Sequence, residues 1–168
     1  MTSRADFTDE EWARLGRAPI VAGMAISLAD PGGPFEAVKE SSAALQTLLE
    51  AARDGGHGEF VQALSHDVAE KARRRENPMA GFAPDRSRAL DDVLEELRAV
   101  NQLLVQKADP EDIEDYREWI KAAAQRTALA AKEGGFLGIG GERVSEREQQ
   151  MLDTLGEIFG APRGAPPT

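Results

Sequence analysis

Between residues 85 and 107 the apolar side chains Leu90, Val93, Leu94, Leu97, Val100, Leu103 and Leu104 recur at threes and fours, the spacing of one face of an α-helix. This seam constrains the chain more than any other stretch, because a helix with a continuous apolar stripe must bury it against another layer. No run of alternating, β-branched residues offers a sheet for that purpose. The expected fold is an all-α bundle, in which the seam packs either inside the chain or across a homodimer.

Caps and breaks divide the rest. Thr8 and Glu11 have the spacing of a capping box, which predicts a short helix from residue 8 to about residue 16. Pro19 suits the first turn of a second helix over 19–29, whose Ile20, Val21, Met24, Ala25 and Leu28 leave little polar face and place it at the bundle centre. Asp30, Pro31, Gly32, Gly33 and Pro34 end it. A third helix is expected over 34–53, carrying Phe35, Val38, Ala44, Leu45, Leu48 and Leu49, and a fourth over 58–75, with Phe60, Val61, Leu64 and Val68 on one side.

The seam helix comes fifth. Asp109 and Pro110 open a sixth that reaches Glu133. Ser145 and Glu148 form a second capping box, opening a last helix with Met151, Leu152, Leu155, Ile158 and Phe159 inward. Trp12, Tyr116 and Trp119 read as packing residues. The count is about seven helices in one domain over 8–159, between a flexible N-terminus at 1–7 and a Pro and Gly rich tail at 160–168 with nothing to bury.

Composition narrows the chemistry. Without cysteine there is no disulfide, thiolate nucleophile or cysteine zinc site, and two histidines are little material for a metal centre. The net charge of −10 opposes attraction to nucleic acid, and the dense basic run Lys71, Arg73, Arg74, Arg75 reads as a solvated helix end. No apolar run reaches the roughly 20 residues a membrane-crossing helix needs, so a cytoplasmic protein without membrane insertion is the expectation. Enzyme signatures are absent too. There is no Glu-x-x-His pair for a di-iron centre, and Ser65 and His66, adjacent on a helix, point about 100° apart and make no nucleophile and base. Asp112, Glu114, Asp115 and Glu118 read as a solvated acidic face at a helix start.

One segment stands out. Gly134, Gly135, Gly138, Gly140 and Gly141 enclose Phe136, Leu137 and Ile139 in a stretch longer than a helical hairpin needs. It follows a helix and matches neither glycine-rich nucleotide motif, so a phosphate loop is disfavoured. Phe136, Leu137 and Ile139 either fold back over the bundle end or form an apolar tip for a protein partner. Residues 18–50 and 122–157 further read as two similar units, each a small-residue helix, a glycine-containing break and a helix with a glutamate in its first turn, Glu40 or Glu148.

With Gly141, Val144, Ser145 and Glu148 in one half, and Asp30, Gly32 and Glu40 in the other, the chain resembles the TerB-like tellurite-resistance family. The resemblance implies an all-helical fold of two similar halves, a role in stress response and acidic loop residues that bind divalent metal. Gly140 replaces the acidic residue that the family places before the second loop's glycine. Around the two loops Asp30, Glu36, Glu40, Glu133, Glu142 and Glu148 are the grouped carboxylates, and Asp30, Glu40 and Glu148 would converge on Ca²⁺ or Mg²⁺ if the loops met. The expected function is a non-enzymatic stress-response or interaction module that binds protein partners through the loops at 30–36 and 133–145, with a divalent-metal-binding module as the alternative.

Overall fold

The computed structural model describes residues 1–29, 56–133 and 144–160. Among them the chain forms five α-helices, α1 (Asp9–Ala29), α2 (Glu59–Arg73), α3 (Ala89–Lys107), α4 (Pro110–Glu133) and α5 (Glu146–Ile158), with one 3-10 turn at Arg4–Asp6 and no strand. The fold is an all-α bundle. α1 is its centre and packs on each of the other four helices. No helix among the described residues is long and apolar enough to cross a membrane.

The helix count falls short of the expected seven for two reasons. The helix expected over 34–53 lies outside the described residues, as do the breaks on which the internal repeat rests. The helices expected over 8–16 and 19–29 are a single helix that runs through Pro19. A proline inside a helix cannot donate to the carbonyl four residues earlier, here that of Leu15. The Tyr116 hydroxyl of α4 donates to that carbonyl instead, at 2.8 Å, in a fully buried position. Tertiary structure supplies the missing donor, and α1 continues.

Both capping boxes form. Thr8 Oγ1 accepts from the Glu11 amide at 3.2 Å while Glu11 Oε2 accepts from the Thr8 amide at 2.8 Å, and Ser145 and Glu148 repeat the arrangement at 3.2 and 2.9 Å. α4 spans the range its Asp109 and Pro110 predict. The seam helix begins at Ala89 rather than residue 85, because Asp85 shapes a turn of its own: its side chain accepts the Ser87 amide at 2.7 Å and its carbonyl the Arg88 amide at 3.1 Å. Within the seam, Val93, Leu97, Val100, Leu103 and Leu104 are buried in the core of this chain.

The rest of the core follows from the same periodicity. α2 buries Phe60, Val61, Leu64 and Val68, and α5 buries Met151 and Leu155 with Phe159 at its end, Leu152 and Ile158 being half-buried. Phe7, Trp12, Phe60, Tyr116 and Trp119 form a chain of ring contacts with centroids 5.6 to 6.1 Å apart, which joins α1, α2 and α4. α1 lies close against α4 at Gly23, where a methyl group would stand 2.9 Å from Thr127 Oγ1. Residues 1–7, expected to be a flexible start, run along the head of α4: the Thr2 amide donates to Asp112 Oδ2 at 2.8 Å, Thr2 Oγ1 accepts from the Asp109 amide at 2.9 Å, and Phe7 enters the core.

Candidate functional site

The sequence directs attention first to the inter-helix loops. Asp30, Glu36, Glu40, Glu142, Phe136, Leu137 and Ile139 lie outside the described residues, and so does the tail at 161–168. Glu133 ends α4. Glu148 is buried, and its Oε2 is held by the Ser145 amide in the α5 capping box. Among the described residues no group of three or more histidines and carboxylates is placed to hold a metal ion.

Several polar residues act as ties between elements. Glu96 on α3 is buried and its Oε1 accepts from Arg17 Nη2 at 2.8 Å, Arg17 Nε at 3.2 Å and Arg14 Nε at 3.1 Å. Arg17, itself buried, also donates from Nη1 to the Ala80 carbonyl at 3.0 Å and lies 5.9 Å from the centre of the Phe82 ring, fastening the segment between α2 and α3 onto α1. Asp115, read from sequence as part of a solvated acidic run, instead grips the approach to α2. Its Oδ1 meets His57 Nδ1 at 2.6 Å and its Oδ2 accepts the Gly58 amide at 2.8 Å. Asp112 likewise holds Thr2, while Glu114 pairs with the buried Arg117 at 2.7 Å.

Titration follows these contacts. The Lys107 ammonium, 2.6 Å away, and the Thr8 amide hold Glu11 below the usual glutamate range. Burial, aided by the negative charge of Glu96, pushes the Tyr116 phenol well above the usual tyrosine range, so it remains a donor to Leu15. Ser65 is buried and donates to the Gln62 carbonyl at 2.9 Å within its own helix, while His66 beside it is exposed.

A trough of about 440 Å³ lies open along the outer side of α2. Ala63, His66, Asp67, Glu70, Lys71 and Arg74 line it, following one another at threes and fours down the side of the helix away from Phe60, Val61, Leu64 and Val68. Glu76 closes one end. Arg4 and the edge of Trp12 complete the lining, with the Arg4 guanidinium 5.3 Å from the centre of the Trp12 ring. Lys71 pairs with Asp67 at 2.8 Å and Arg73 pairs with Glu70.

The basic end of α2 is shaped by backbone as well as charge. The Arg75 amide donates to the Ala72 carbonyl at 3.1 Å and the Glu76 amide to the Lys71 carbonyl at 2.9 Å, the two bonds of a Schellman motif. Arg75 occupies the left-handed position at φ 58°, where glycine is the usual residue. In the sequence the basic run is conspicuous and the trough is not, since the signal lies in the helical spacing of both signs of charge.

The chain matches no protein-family model, and no curated protein and no solved structure shows significant similarity to it.

Proposed function

We propose that this chain is a non-enzymatic protein-interaction module and that the trough along α2 is a docking surface. The observation that carries the reading is a charged, open channel that follows one helix for about three turns, with Arg4, Trp12 and Glu76 completing its lining. Small-molecule sites are concave, mostly apolar and enclose the larger part of their ligand. A channel open along its length, lined by ionised side chains, suits a polypeptide segment laid beside α2. The loops at 30–36 and 133–145, with Phe136, Leu137 and Ile139, belong to the same proposal as a second contact region.

A photo-crosslinking residue at Ala63 tests this, compared with the same residue at Val105, which is exposed on α3. The expected result is a discrete crosslinked species from Ala63 alone, lost when Lys71 and Arg74 are both replaced by glutamate. Equal labelling from both positions, or labelling indifferent to the charge change, would remove the trough from consideration.

The resemblance to the TerB-like family rests, among the described residues, on Val144, Ser145 and Glu148 at the start of α5. That arrangement serves any capped helix. A divalent cation held by Asp30, Glu40 and Glu148 would have to share Glu148 with the Ser145 amide. Calorimetry with Ca²⁺ and Mg²⁺ tests that alternative, and binding heat that persists in Glu148→Gln counts against this ligand set.

A further inference from the structure

Resting on the reading of the trough as a docking surface, we propose that its occupant is a second copy of this chain, docked antiparallel about a two-fold axis. The trough is balanced in charge: Arg4, Lys71 and Arg74 line it together with Asp67, Glu70 and Glu76. A strongly acidic or strongly basic partner would therefore meet as many like charges as opposite ones. A self-complementary partner would not.

The order of charges along the α2 stripe carries the argument further. The acids Asp67 and Glu70 come first and the bases Lys71 and Arg74 follow, so the stripe inverts its charge about the midpoint between Glu70 and Lys71. With a two-fold axis at that midpoint, Asp67 of one copy stands opposite Arg74 of the other, and Glu70 opposite Lys71. Each pairing occurs twice, giving four opposite-charge pairs. Two-fold interfaces use the same patch on both subunits, and this is the property such a patch requires.

Within one copy three of these four charges have partners on the same helix, Asp67 with Lys71 and Glu70 with Arg73. Lys71 and Asp67 are one turn apart on the same helix, and Arg74 pairs with no carboxylate among the described residues. Intrahelical pairs of this exposed type are weak and exchange readily for pairs across an interface. The net charge of −10 repels the copies at long range, but the Debye length of about 8 Å at physiological ionic strength leaves the local pairing to decide the geometry. Charge then fixes register and selectivity more than affinity, so the association is reversible and weakened by salt.

Sedimentation velocity over a wide concentration range, at low and high salt, is the test. The unaltered chain is expected to dimerise reversibly, less so at high salt. Lys71→Glu with Arg74→Glu makes the stripe wholly acidic, and Asp67→Lys with Glu70→Lys makes it wholly basic. Each variant alone is expected to be monomeric, and an equimolar mixture to form a heterodimer at least about tenfold tighter than either homodimer. Circular dichroism confirms that each variant remains helical; should one unfold, the single changes Arg74→Glu and Asp67→Lys provide the same mixed pair. A chain that stays monomeric throughout, or dimers that persist unchanged in both variants, would overturn the proposal. If the chain is monomeric yet the Ala63 crosslinker still captures a different protein in a charge-dependent way, self-docking fails and the docking surface stands. Failure of both assays rejects both.

Discussion

α1 and α2 sit against each other in the same bundle and differ in what they leave to the surroundings. α1 is covered on nearly every side, and even its polar features are answered from other elements: the Leu15 carbonyl by Tyr116, and Arg17 by Glu96 and the Ala80 carbonyl. α2 buries one side and presents a continuous charged stripe on the other. The difference separates two roles. Changes in α1 and its partners should move stability and spare association, whereas changes on the outer side of α2 should do the reverse.

The strongest test of that division is Glu96→Ala. Removing this buried carboxylate leaves Arg17 buried and without its counter-ion, and breaking a buried pair in this way costs about 3–5 kcal/mol. Urea unfolding should show the loss, and it should be much smaller when Arg17→Met is present as well, since no charge is then stranded. A loss of less than about 1 kcal/mol would show that Glu96 is not acting as a buried counter-ion.

Next in size is Tyr116→Phe. The Leu15 carbonyl then has no partner, a cost of about 1–3 kcal/mol for a buried acceptor. Pro19→Ala restores a backbone donor to that same carbonyl, so the double variant should recover most of the loss, and additive effects would break the account of how α1 runs through Pro19. The phenol has a further consequence at alkaline pH. Its folded pKa is raised, so its contribution is fully present below the ordinary tyrosine value and is lost as the pH rises through the folded one. Tyr116 is the only tyrosine, so tyrosinate absorbance reads its ionisation directly and should appear together with alkaline unfolding.

What could be read from the sequence was local. Thr8 with Glu11 and Ser145 with Glu148 satisfy one another within a single turn, and the seam of α3 is a pattern of neighbours, so both were legible. Pro19 has the sequence signature of a helix start, because its accommodation inside α1 depends on Tyr116, which is 101 residues from Leu15. Asp112 and Asp115 looked solvated because Thr2 and Gly58, their partners, lie 110 and 57 residues away. The trough went unread for a different reason: Lys71 to Arg75 stands out as a run of one sign, and only folding α2 into a helix places Lys71 and Arg74 in line with Asp67 and Glu70. Ser145→Ala is expected to cost about 1 kcal/mol, the usual loss for a helix cap, detectable as a lower melting temperature.

Arg75→Gly carries the smallest expected effect and bears most directly on the contrast between the two helices. A left-handed residue other than glycine costs roughly 1–2 kcal/mol, and the extra freedom that glycine gives the unfolded chain returns about 0.4–1 kcal/mol of that to the unfolded state. The net expectation is a stabilisation of about 0.5–1 kcal/mol, with the Schellman bonds to Ala72 and Lys71 retained. Destabilisation would show that the Arg75 side chain contributes more to the fold than its backbone costs. If the variant is stabilised and the crosslinking yield from Ala63 falls, the strained arginine is kept for its charge beside the trough, since local strain persists where something else depends on it. Stabilisation with unchanged crosslinking would confine the interaction surface to the stripe that ends at Arg74.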